Sequence, residues 1–143
     1  MAEGIQKDRY DFLETFAKQF YGVNLVSHPV SQAHLNHDFL LASLASPKAT
    51  LECAKAFAST DFRADMATIT VPTLIIHGDA DKIVPLESSG EKSHELLPQA
   101  EYTVYEGAPH GLYVTEKEAL NEDLLNFVEE RVSQNQPSSE VTY

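Results

Sequence analysis

The sequence predicts an α/β chain in which a helical first segment, residues 1–69, precedes a strand–helix–strand–helix unit of a parallel sheet over residues 70–133, with a disordered tail at 134–143. Three observations predict it. Apolar residues of the first half recur at helical spacing, those of the second half gather into short β-branched runs, and the closing stretch SQNQPSSEVTY is polar and rich in Ser, Gln and Pro. The texture changes near Thr70, and no internal repeat joins the two halves.

Asp8 followed by Asp11 has the form of a helix start, and Phe12, Phe16 and Phe20, with Leu13 and Ala17 beside them, give the i, i+4, i+8 stripe of an amphipathic helix that ends at Gly22. After the loop VNLVSHPV, Ser31 caps a second helix running to about Ala45. Ser46 and Pro47 are suited to the N-cap and first position of a third, which carries Leu51, Ala54 and Phe57. From Val71, VPTLIIHG is preceded by Pro and closed by Gly, and it reads as a buried parallel strand. The turn DADKIVP follows, then a helix over Glu87 to Leu97 that Pro98 stops, then a second strand, AEYTVYEG. The loop APHG leads to a last helix, about Glu116 to Val132, with Leu120, Leu124, Phe127 and Val128 on one face and carboxylates on the other. The order β-α-β-α implies parallel strands joined by a right-handed crossover. Two strands make a poor sheet, however, and TLIIH, apolar on both faces, calls for neighbours on both edges.

Composition narrows the function classes. The chain has 143 residues, 10 Lys+Arg against 22 Asp+Glu and a net charge of −12, which argues against nucleic acid or an anionic membrane surface as partner. A chain of this length is one domain and buries roughly 68–70% of its unfolded surface, so it needs neither disulfide nor metal to hold a core. Its one cysteine, Cys53, excludes an internal disulfide. No apolar stretch approaches the ~18 residues of a membrane span. The opening MAEGIQKDRYDF carries charge and no apolar signal region, so the expected location is cytoplasmic.

In open α/β sheets, reactive groups gather at the loops that leave the carboxyl ends of strands. The first such loop holds His77, Asp79 and Asp81, and the second holds His110 between Pro109 and Gly111. An Asp and a His on adjacent strand ends can meet, the carboxylate accepting from Nδ1–H and fixing the imidazole tautomer. Alternatively, the Asp caps its own turn and the His is an incidental loop residue.

The strand-loop HGDADKIVP, the later YEGAPHG and the upstream FYGVN and AKAFASTDFR resemble the non-haem chloroperoxidases and arylesterases of the α/β-hydrolase family, from about Ile5 to Val128. By that resemblance the fold is an incomplete α/β-hydrolase fold and the helical segment is a lid. Asp81, the second carboxylate of GDAD, matches the triad acid, and His110 matches the triad base. Asp79 and His77 become turn-shaping neighbours. The implied chemistry is acyl transfer without metal or organic cofactor on a small ester, lactone or amide, giving hydrolysis, or a peracid when hydrogen peroxide takes the acyl group. Phe20, Tyr21, Leu41 and Phe57 are the residues expected to line the substrate pocket beneath the lid, with core packing as their other reading.

Family members resemble this chain only in their second half; a preceding half of about a hundred or more residues brings the G-x-S-x-G serine elbow and oxyanion donors. The glycines here stand at positions 4, 22, 78, 90, 107 and 111, and no pair frames a serine at that spacing. The chain alone is therefore expected to be inactive, with the serine coming from an N-terminal hydrolase half. The rival expectation is a non-catalytic remnant or interaction module that pairs through an exposed sheet edge with a partner or with itself.

Other reactive residues have simpler readings. Cys53 precedes Asp81 and His110 in the order of a Cys-Asp-His triad, but TLECAKAF is a helix interior without flanking Gly, so Cys53 is expected to be a small buried hydrophobe. His28, His34 and His37 lack a fourth zinc ligand at suitable spacing and are read as surface residues. The acidic run from Glu116 to Glu130 is a solvated helix face.

Overall fold

The computed structural model describes residues 2–134; the tail expected from 134 onward lies, after Gln134, outside the described residues. Eight helices and two strands follow one another: α1 Ala2–Lys7, α2 Arg9–Phe20, α3 Gln32–Leu44, α4 Pro47–Ser59, α5 Arg63–Met66, β1 Leu74–Gly78, α6 Gly90–Leu96, β2 Glu101–Tyr105, α7 Leu112–Thr115 and α8 Lys117–Gln134. Among the described residues no helix is long and apolar enough to cross a membrane.

The helix starts follow from local chemistry. Asp8 Oδ1 accepts from the amides of Tyr10 and Asp11, and Ser31 Oγ accepts from His34 N, each filling donors that a helix leaves orphaned. Ser46 does the same for α4 through Ala49 N, ahead of Pro47 at its first position. The end of α3 is held differently. The Arg9 guanidinium donates to the carbonyls of Ala42 (2.8 Å), Ser43 (3.2 Å) and Ala45 (2.8 Å), placing a positive charge on the helix C-terminus and tying the start of α2 to the end of α3.

Three sequence expectations change in detail. The helix expected over Glu87–Leu97 is a 3-10 turn, Leu86–Ser88, followed by α6, and the last helix is preceded by the separate turn α7. The short helices α1 and α5, of six and four residues, are too short to show an apolar stripe and have no counterpart among the helices read from the sequence. Finally, Leu74 to His77 of β1 are half-buried rather than buried, since among the described residues only β2 lies beside them.

Strands β1 and β2 are parallel, with Leu74 opposite Glu101 and Gly78 opposite Tyr105. The pairing extends beyond the strands. Asp79 N donates to Tyr105 O, Ala80 N donates to Ala108 O, and Asp79 Oδ1 accepts from Gly107 N at 2.6 Å. The two loops that leave the sheet are thus bonded to each other at their base. On the outer side of β2, the Tyr105 hydroxyl donates to Asp123 of α8, and burial together with that carboxylate raises the pKa of the phenol. Among the described residues, the buried apolar side chains are Ile5, Leu13, Tyr21, Leu35, Leu97, Ala100 and Ala108.

Gly78 ends β1 where the second loop passes closest: a Cβ there would lie 2.2 Å from the Ala108 carbonyl oxygen. That neighbour is backbone and cannot swing away. Gly78→Ala is therefore expected to destabilise the fold by about 2 kcal/mol through overpacking, seen as a lower midpoint in urea unfolding followed by circular dichroism; an unchanged midpoint would mean that the loops give way freely.

Candidate active site

The loop after β1 folds around the Asp81 carboxylate. Oδ1 accepts from Ile83 N (2.8 Å) and Val84 N (2.9 Å), an Asx-type turn that closes residues 81–84 on the side chain. Oδ2 accepts from His110 Nδ1 at 2.7 Å, and His77 Nε2 lies 3.3 Å from the same oxygen. The His77 Nε2–H donates to Val84 O at 2.9 Å, which pins the far end of the loop to β1. The Asp81 side chain is 3% exposed, and Asp81 is the buried charged residue of the described chain. Burial by itself would raise its pKa, but the Val84 amide, the His110 ring and the Ile83 amide outweigh burial and hold it below the ordinary carboxylate value.

His110 stands on the loop after β2, its side chain 33% exposed. With Nδ1–H committed to Asp81, the neutral ring carries its lone pair on Nε2, and among the described residues nothing bonds that atom. The arrangement can take a proton at Nε2 and stabilise the resulting imidazolium through the carboxylate. His110 faces an apolar cleft of about 320 Å³ lined by Ile5, Phe12, Phe16, Cys53, Phe57 and Val84, among others. Its walls are thus α1, α2, α4 and the loop after β1.

The residues singled out in the sequence take different places. Asp81 and His110 are bonded to each other. Phe57 lines the cleft. Phe20 meets the His110 ring edge to face, centroids 4.7 Å apart and planes at 71°, and with Tyr21 lines a separate hollow of about 180 Å³ between α2 and α3. Leu41 lines neither cavity; it is 53% exposed on α3, whose contact with α2 is made instead through residues such as Leu35 and Phe39. Cys53 is exposed and lines the His110 cleft, contrary to the buried position expected, because α4 is covered on few sides and contributes no fully buried residue. His34 and His37 both turn to Asp38, at 3.4 and 3.5 Å, and among the described residues no group of three or more metal-ligating side chains is assembled.

Several residues of the site escaped the sequence. Phe12 and Phe16 read there only as a packing stripe, and the same helical spacing aligns them along the cleft. Asp38 and Tyr113, which hold Tyr21 through its hydroxyl, are far apart in the chain and carry no motif.

The lowered pKa of Asp81 has a definite consequence for stability. The stabilisation it brings is present above the unfolded value of about 3.9 and is lost as pH falls through the lower folded value. Asp81→Asn is expected to be less stable than the parent at pH 7, the gap narrowing below about pH 4, as read from urea midpoints at several pH values; a gap independent of pH would refute the charge-based account.

The family model described as serine aminopeptidase, S33, matches residues 16–118, a span that includes both loops. The chain is 41% identical over 117 residues to a non-haem chloroperoxidase of Streptomyces lividans, covering 82% of this chain and 42% of that protein. It is 39% identical over 112 residues to a bifunctional esterase/perhydrolase of Acinetobacter calcoaceticus, covering 78% and 41%. The crystal structure of a bromoperoxidase from Bacillus anthracis superposes with a TM-score of 0.84 at 42% identity, over 89% of this chain and 46% of that one. The chain spans a little under half the length of these proteins. With the family model matched over most of its residues, the sheet and helices described above are part of an α/β-hydrolase fold, and the chain belongs to the α/β-hydrolase family described as serine aminopeptidase, S33.

Proposed function

We propose that this chain supplies the acid and the base of a serine hydrolase acting on small carboxylic esters, lactones or cyclic amides. The observation that carries the reading is the 2.7 Å bond between Asp81 Oδ2 and His110 Nδ1, made where two adjacent parallel strands end and beside an apolar cleft. In this reading Asp81 keeps the imidazole in one tautomer. His110 Nε2 removes the proton of a serine hydroxyl, the serine oxygen attacks the carbonyl carbon, and the imidazolium returns the proton to the leaving group. Water then attacks the acyl-enzyme, again losing its proton to Nε2, and releases the acid. Hydrogen peroxide in place of water releases a peracid, which can oxidise halide; similarity to an esterase/perhydrolase and to haloperoxidases supports this second fate. The helical segment serves as a lid whose Phe12, Phe16 and Phe57 hold the acyl group.

No G-x-S-x-G occurs in these 143 residues, so the serine belongs, in this proposal, to a hydrolase N-terminal segment paired with the free edge of β1. The lone free cysteine suits a reducing compartment, and the cytoplasm is the setting proposed. One observation favours a second reading, an interaction module without activity: the exposed Leu124, Leu125 and Val128 of α8 and the unpaired edge of β1 offer apolar surface and backbone groups to a partner or to another copy.

The test is p-nitrophenyl acetate turnover and fluorophosphonate labelling by the full chain, alone and mixed with the G-x-S-x-G-bearing half of a related hydrolase. Turnover and label are expected in the mixture only. His110→Ala is expected to lower the rate of the mixture by about 10⁶-fold with its circular dichroism unchanged, and Asp81→Ala by about 10⁴-fold with a lowered urea midpoint. Full activity with either variant would remove the assigned roles, and turnover by the chain alone would direct attention to Cys53.

A further inference from the structure

The contact between the helical segment and the His110 loop is a lock of two short segments, Phe20–Tyr21–Gly22 against Pro109–His110–Gly111. Its backbone part is a 2.7 Å bond from Gly111 N to Phe20 O, which ties the residue after His110 to the end of α2. Its side-chain part is the edge-to-face contact of Phe20 with the His110 ring. Both glycines are required by the closeness of the two segments. A Cβ on Gly111 would fall 2.5 Å from the Tyr21 ring, and Gly22, at φ +68°, lies with Pro109 against it, 3.1 Å from where its own Cβ would be.

Tyr21, 3% exposed, is fixed in turn. Its hydroxyl donates to Asp38 Oδ2 of α3 at 2.6 Å and lies 3.3 Å from the Tyr113 hydroxyl of α7. Burial, reinforced by Asp38 and Tyr113, drives its pKa far above the ordinary phenol value, so the hydroxyl keeps the proton it donates. The ring against Gly111 is therefore anchored from α3 on one side and α7 on the other, and α7 is the turn that follows His110 itself.

We propose that Phe20 and Tyr21 are positioning residues for His110, so that the helical segment sets the direction of the imidazole as well as covering the cleft. The Cβ tether and the Asp81 bond hold two points of the ring and leave its tilt about the axis between them open; the Phe20 edge closes this remaining freedom, and Tyr21 keeps Phe20 and Gly111 in place. This deepens the acid–base reading of Asp81 and His110 and rests on it.

The test uses the full chain with ¹⁵N-labelled histidine. The Nδ1 proton shared by His110 and Asp81 is followed by NMR, assigned by its loss in His110→Gln, and its exchange with water is measured. Phe20→Ala and Tyr21→Phe are each expected to speed that exchange about tenfold, whereas Leu41→Ala, an apolar truncation on the exposed part of α3, leaves it at the parent rate. Parent-rate exchange in both variants, or equal acceleration by Leu41→Ala, overturns the proposal. Should Phe20→Ala lose helix content by circular dichroism, Tyr21→Phe decides alone, since it keeps the ring that Gly111 abuts and removes only the hydroxyl. A parent chain showing no such proton would instead bring down the Asp81–His110 reading, so the two failures are distinct.

Discussion

A single buried carboxylate organises this structure. Asp81, with its side chain 3% exposed, is held in its charged form by donors that fill the lone pairs of both oxygens. The chain meets that demand by curling residues 81–84 back on the side chain, by bringing His110 across from the neighbouring strand, and by setting His77 of β1 beneath the loop. Each of these has a second effect. The curl presents Ile83 and Val84 to the cleft, His110 gains a fixed tautomer, and the His77 bond to Val84 fastens the loop to the sheet. Without the charge at Asp81, the Ile83 and Val84 amides and the His110 Nδ1–H lose their common acceptor.

Much of this was legible in the chain because it rests on neighbours in sequence. The caps at Asp8, Ser31 and Ser46 act over two or three residues, and the strand-loops HGDADKIVP and YEGAPHG carry their turn chemistry within themselves. What escaped depends on distant partners. Arg9 carries no sequence signal for its bonds to the end of α3, and Tyr21 reads as pocket lining until Asp38 and Tyr113 converge on its hydroxyl. Cys53 was misplaced for the opposite reason, since its apolar helical context is that of a buried residue and only the sparse covering of α4 leaves it exposed. Leu41 shows the same limit, because α3 meets α2 through Leu35 and Phe39 while Leu40 and Leu41 both stay exposed.

The two strands are unequal. β1 is apolar on both faces and only half-buried, whereas β2 begins with Glu101 and has α8 fastened to it through Tyr105. The helical segment is tied down at two helix ends, the end of α3 by Arg9 and the end of α2 by Gly111.

The bonds from Asp79 to Gly107 and from Ala80 to Ala108 give the two loops a common footing. A displacement of one is passed to the other, so the separation of carboxylate and imidazole is insulated from bending of the sheet below. It follows that neither loop is a modular part. A chimaera that imports the 79–84 loop from another family member severs contacts whose other halves stay behind at 105–108, and the two stretches have to be exchanged together, as one inheritable unit, for Asp81 and His110 to remain in register.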